Sequence, residues 1–203
     1  MNININSYYE KRANIFNEIE ESTVLTKTIL AILMACLTGI LAQVIIPLPF
    51  TPVPITGQTF AVLIAGLLLG KKYGTLSQVI YIGLGATLIP WFGGMTGGIE
   101  ALFGSTCGYF VGFLLATYFI GYISEKYINA RKFWKMTAII SIANFLLIYI
   151  PGLAGLEAFM YFTNGTLLSP VELLIMGFIP FIIGDIVKIV SASAVSKVFL
   201  PKE

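Results

Sequence analysis

The sequence predicts an all-α integral membrane protein with six transmembrane helices and both termini cytoplasmic. Three observations predict it. Of 203 residues, 57% are hydrophobic and only 11% charged, whereas a soluble domain carries about 25% charge. A mean hydropathy of +0.90 leaves too little polar surface to cover a globule of this size, so the bilayer is the solvent for most of the chain. Of the 12 Lys plus Arg, all but Lys188 lie outside the apolar runs, in segments that six crossings bring to a single side.

Residues 1–27 are polar, include Glu18, Glu20 and Glu21, and read as a cytoplasmic N-terminal extension in which Ile15, Phe16 and Ile19 form at most a weak amphipathic turn. They are no signal-peptide n-region, and no A-x-A-like site follows the first span, so the first helix is expected to stay. From Thr28 to Gly70 no residue is charged, which allows two crossings joined by a loop that Pro47, Pro49, Pro52 and Pro54 place. The spans Thr28–Ile46 and Gln58–Leu69 follow. Thr75–Ile89, Thr106–Ser124, Met136–Ile150 and Pro180–Val198 complete a six-helix transmembrane domain over 28–203. The second and third spans are short for a hydrocarbon core of about 30 Å at about 1.5 Å per residue, so adjoining loops are expected to fold into the membrane level. Lys11, Arg12, Lys27, Lys71, Lys72, Lys126, Arg131, Lys132, Lys135, Lys197 and Lys202 then share one side, which is cytoplasmic. The external loops, 47–57, 90–105 and 151–179, hold no cation and only Glu100, Glu157 and Glu172.

Composition also excludes functions. The absence of His removes His-ligated metals and imidazole chemistry. Cys36 and Cys107 lie in separate apolar runs and form neither a disulfide framework nor a C-x-x-C pair. A net charge of +2 gives no nucleic-acid footprint. Gly66-Leu67-Leu68-Leu69-Gly70-Lys71-Lys72 looks like a phosphate loop but is one residue short and lacks the Ser or Thr after Lys71. No nucleophile–base pair or metal set appears, so an enzyme is not expected, and no cofactor is implied.

The residues a membrane tolerates least are Asp185 and Lys188. Three apart in the last span, they share a helix face and can pair. Each costs about 2.5–3.5 kcal/mol at a helix centre, so the pair marks either a polar-ligand site in the outward half or a self-satisfied link between helices. Thr56 is expected to cap the second span, and Gln58 offers an amide at the outer level; both serve a ligand or the loop's own backbone. Trp91, before the glycines 93–98, is either a flat pocket wall or an interfacial anchor. Gly104, Gly108 and Gly112 stripe the fourth span, where packing inside the bundle explains them. Ala31, Ala35 and Gly39 stripe the first, where internal packing and docking of another subunit are both open.

Five stretches in order resemble the BioY family, the biotin-specific S components of energy-coupling factor (ECF) transporters. They are Ile46-Pro47-Leu48-Pro49 with Val53-Pro54-Ile55-Thr56-Gly57-Gln58-Thr59; Ala65 to Gly70; Tyr81 to Ala86; Gly104-Ser105-Thr106-Cys107-Gly108-Tyr109; and Pro180 to Lys188. The resemblance implies the S-component fold, biotin capture from outside, and handover with a transmembrane coupling protein and two cytoplasmic ATPases that alone use ATP. It implies that Ala31 and Ala35 meet the coupling protein. It also implies that Asp185 and Lys188 hold the ureido head of biotin, with Trp91 and Tyr109 on the rings and chain, and Thr106 is a further substrate-binding candidate. A solitary carrier without ATPases and an S component for another vitamin are the alternatives.

Overall fold

The computed structural model describes residues 21–201 together with residues 14, 18 and 19. Ile15 and Phe16, read as part of a disordered tail with a weak amphipathic turn as the alternative, lie outside them. Helix α1 (Val24–Ala42) opens on Thr23, whose hydroxyl oxygen accepts the Thr26 N–H at 3.2 Å and satisfies one orphan donor of the first turn. It ends at Ala42 rather than Ile46. Val44, Ile45 and Ile46 are β-branched and precede Pro47, which disfavours the helical conformation before it. Ile45–Ile46 instead forms β1, antiparallel to β2 (Ile55–Thr56), with Ile45 opposite Thr56 and Ile46 opposite Ile55.

Helix α2 (Gln58–Thr87) is capped by Gly57, not by the expected Thr56, and no side chain closes that cap. It is broken at Gly70, whose φ of 69° and ψ of −176° are non-helical. The break is a reversal: a Cβ on Gly74 would lie 2.6 Å from the Ala65 carbonyl oxygen, although residues nine apart on a continuous helix are separated by about 13 Å. Glycine supplies the left-handed φ the reversal needs. Glu125 holds the turn, accepting the Lys71 N–H at 2.8 Å and pairing with Lys71 Nζ at 3.4 Å. The two short spans expected here thus appear as arms 58–69 and 71–87 of one broken helix.

Helix α3 (Gly98–Leu102) is a single short turn leading to α4 (Cys107–Lys126). After a 3₁₀ turn (Ile128–Arg131), helix α5 (Phe133–Ile142), a π-helical segment (Ala143–Ile148) and helix α6 (Tyr149–Asn164) follow without interruption. The expected stop at Ile150 is thus corrected. Pro151 falls in the first turn of α6, directly after the π-helical segment, and proline is tolerated at such a position. Gly165, at φ 73°, ends the helix in a left-handed cap. Residues 170–177, read as loop, form helix α7 (Pro170–Gly177), started by a reciprocal capping box between Ser169 and Glu172 with Pro170 at its head. A 3₁₀ turn (Ile179–Phe181) leads into α8 (Ile182–Phe199).

Among the described residues five stretches are long and apolar enough to cross a membrane: Val24–Ala42, Gln58–Thr87, Cys107–Lys126, Phe133–Asn164 and Pro170–Phe199. The chain is a multi-pass membrane protein. Helix α2 packs chiefly on α4 and α1, around a core that includes Leu63, Leu67, Tyr81, Ile120, Met136 and Ile140. Ile32, Leu33, Val111, Leu115, Leu146, Ile183 and Val187 are exposed, an apolar outer face that suits lipid and not water.

The small-residue stripes both face inward. A Cβ on Gly108 would collide with the Pro151 carbonyl, and one on Gly112 would lie 2.6 Å from Ile148 Cα, so α4 and the 143–164 segment touch backbone to backbone. Ala31 and Ala35 have no exposed surface, and Gly39 is buried with Trp91 Cε3 2.9 Å from where its Cβ would stand. On the same face, Thr38 Oγ1 accepts from Gln78 Nε2 of α2 at 3.3 Å. The face of α1 that carries Ala31, Ala35 and Gly39, which the resemblance sets against a coupling protein, thus packs inside the bundle in the isolated chain.

Candidate ligand-binding site

Asp185 sits in the first turn of α8, where the helix dipole favours a carboxylate. It is only 2% exposed. Lys188 follows one turn later and donates from Nζ to Asp185 Oδ1 at 2.9 Å. The opposite oxygen, Oδ2, accepts from Asn144 Nδ2 at 2.9 Å and from the Tyr149 hydroxyl. Residues five apart on an α-helix point about 140° apart at about 100° per residue. The π-helical segment at 143–148 re-phases that helix, so that Asn144 and Tyr149 reach one oxygen together. Tyr149 is held edge-on to Phe178 at 4.8 Å and stacked on Phe145 at 6.1 Å.

The pair opens onto a cavity of about 380 Å³, a size typical of small-molecule sites. Of the residues singled out by sequence, Asp185, Lys188, Gln58, Thr56, Tyr109 and Thr106 all line it. Tyr109 presents its ring, its hydroxyl being committed to the Gly177 carbonyl at 2.7 Å. Gln58 is 6% exposed, and its Nε2 has no hydrogen-bond partner among the described residues. Such a buried donor is costly until something accepts from it. Trp91 is not brought into the wall. Its indole N–H donates to the Tyr81 carbonyl at 2.9 Å and its ring packs on Gly39, so it fastens the 90–97 loop to α1 and α2, and Phe92 faces the cavity instead.

Sequence reasoning missed Asn144 and Tyr149. The available signal was Asn144, the one amide in an uncharged crossing; its Oδ1 is buried without a partner among the described residues while Nδ2 serves Asp185. Gln43 was missed as well. Its Nε2 donates to the carbonyls of Trp91 and Phe92 at 3.0 and 3.1 Å, and its Oε1 accepts the Met95 N–H at 2.8 Å, holding the loop that carries Phe92. The Pro-rich 47–54 connection adds Pro52, Val53 and Pro54 to the cavity wall. The Thr51 hydroxyl donates to the Met176 carbonyl at 2.7 Å, and the Ser105 hydroxyl to that of Pro52 at 3.2 Å, so this loop is tied to α7 and to the start of α4.

The floor of the cavity thus sets a carboxylate acceptor beside an ammonium donor, with aromatic rings around them. That arrangement holds a neutral polar head on an apolar body.

The BioY family model matches residues 11–202. The chain belongs to the BioY family. It is 50% identical over 139 residues to the probable biotin transporter BioY of Methanothermobacter thermautotrophicus, covering 68% of this chain and 88% of that protein. It is 34% identical over 151 residues to the biotin transporter BioY of Thermotoga maritima, covering 74% and 83%. A solved structure of the S-component for biotin from an ECF-type ABC transporter superposes with a TM-score of 0.74 at 25% identity, covering 87% of this chain and 93% of that one. As a BioY protein the chain is a transporter and not an enzyme.

Proposed function

We propose that this chain captures biotin at its outer face and delivers it inward as the substrate-binding S component of an ECF-type importer. The observation that carries the proposal is the buried Asp185–Lys188 pair on the cavity wall of a BioY-family chain. Lys188 donates to the ureido carbonyl and Asp185 accepts a ureido N–H, both charge-assisted bonds. The Tyr109 and Phe92 rings take the apolar bicycle, Gln58 Nε2 offers a further donor, and Thr56 and Thr106 stand along the wall.

Counting arms 58–69 and 71–87 as separate crossings, the described segments make six passes and return both termini to the side that carries the cations. The positive-inside rule makes that side cytoplasmic, with residues 1–27 as a cytoplasmic extension of the transmembrane domain. The cavity, whose walls draw on the segments 52–59, 92–96 and 101–106, then opens outward. The chain has no phosphate loop, and a coupling protein with two cytoplasmic ATPases supplies the energy.

The test is uptake of labelled biotin by cells lacking their own transporter, with and without a coupling protein and ATPases. Uptake only when all are present is the expected result. Uptake by the chain alone would replace the importer reading with a solitary carrier, and uptake of a different vitamin in place of biotin would replace the substrate.

A further inference from the structure

Asp185 is occupied before any ligand arrives, and its two oxygens are occupied unequally. Oδ2 takes Asn144 Nδ2 and the Tyr149 hydroxyl, whereas Oδ1 takes only Lys188 Nζ. A carboxylate offers about four lone-pair sites, two on each oxygen. Among the described residues Oδ2 is therefore full, and Oδ1 keeps one place. Lys188 uses one of its three N–H donors on Asp185 and keeps the others for the cavity. Of the two side chains that fill Oδ2, Tyr149 lines the cavity and Asn144 stands behind the wall. Tyr149 therefore separates the cavity from the second oxygen, and Phe145, Phe178 and Tyr109, at 6.0 Å edge-on, hold its ring in place.

We infer, resting on the biotin reading above, that the Tyr149 hydroxyl is a specificity-determining group that denies Asp185 Oδ2 to ligands. The cavity then accepts a head presenting one N–H beside one C=O, as a cyclic urea or lactam does. It rejects a cyclic amidinium or guanidinium, which pairs with a carboxylate through parallel N–H bonds to both oxygens. Lys188 acts in the same direction, because an ammonium has no acceptor to offer and repels a cation.

The experiment compares equilibrium binding of biotin with that of 2-iminobiotin, in which a cyclic guanidinium replaces the urea, at a pH where the analogue is protonated. It uses the full chain in detergent as wild type, Tyr149→Phe and Asn144→Leu, with Asn144→Ala in reserve should the Leu variant not fold. Tyr149→Phe keeps the ring packing and opens Oδ2 to the cavity. It is expected to lower the melting temperature no more than Asn144→Leu does, since each removes one bond to Asp185, and to narrow the preference for biotin over 2-iminobiotin about tenfold, the scale of one hydrogen bond to a charged group. Asn144→Leu, which opens nothing toward the cavity, is expected to weaken both ligands and leave the preference unchanged. A preference unmoved by Tyr149→Phe overturns the inference, and so does an equal shift in Asn144→Leu, because looser packing would then be the cause. Biotin bound by the wild type with an unmoved preference overturns this assignment alone, whereas a wild type that holds neither ligand overturns the biotin reading with it.

Discussion

Replacing Lys188 by Met keeps the apolar stem and deletes the ammonium, leaving Asp185 buried without its counter-ion. Uncompensated buried charges cost about 3–5 kcal/mol, so Lys188→Met is expected to lower the melting temperature and to weaken biotin at least about tenfold through the lost bond to the ureido carbonyl. Gln58→Leu separates the two effects with opposite signs. It removes a buried donor that nothing satisfies in the free protein, so thermal unfolding should occur at the same or a higher temperature while biotin affinity falls several-fold. A melting temperature that falls together with affinity would mean that Gln58 is structural. At this scale the sequence was informative where chemistry is expensive: a charged pair in an apolar span stands out in one dimension. Tyr149 did not stand out, because its role depends on a π-helical re-phasing that no composition signal announces. Trp91 misled for a related reason, since a tryptophan beside glycines fits a pocket wall and a packing anchor equally well, and only the hydrogen bond to Tyr81 decides.

Two elements repay a test because local chemistry places them. Ser169→Ala breaks the capping box of α7, at about 1 kcal/mol for a lost N-cap, and is expected to lower the melting temperature in detergent by a few degrees. Because Thr51 bonds to the Met176 carbonyl, the last turn of α7 also anchors the 47–54 loop, so biotin affinity should fall with it. Gly108→Leu is expected to prevent folding outright, measured as loss of monodisperse protein on extraction, because the side chain would occupy the Pro151 carbonyl. Most elements were legible as uncharged runs bounded by Lys, Arg or Pro. The errors came where a strong breaker was overridden: Pro151 lies where a first helical turn tolerates it, and the capping box at Ser169 starts a helix inside what the charge pattern leaves as a loop. The Ala31–Ala35–Gly39 stripe shows the limit of spacing arguments, which identify a close contact without saying what lies on the other side of it.

For the whole molecule, apolar surface outside and a polar pair inside invert the arrangement of a soluble protein, and the cation asymmetry is the basis of the orientation proposed above. A phosphatase fused to the C-terminus, active only outside the membrane, is expected to remain inactive, and an active fusion would reverse the proposed topology. The membrane class and the region of the site were legible from composition and from two charges. The cavity itself was not, because the segments 52–59, 92–96 and 101–106 converge on it from distant parts of the chain. The most direct test of the central claim is equilibrium binding of biotin to the purified chain beside Asp185→Asn, which keeps the side chain's size and removes its charge. Selective binding by the wild type, weakened about a hundredfold or more in the variant, is the predicted result; equal binding by both would contradict the assignment of this pair as the biotin site.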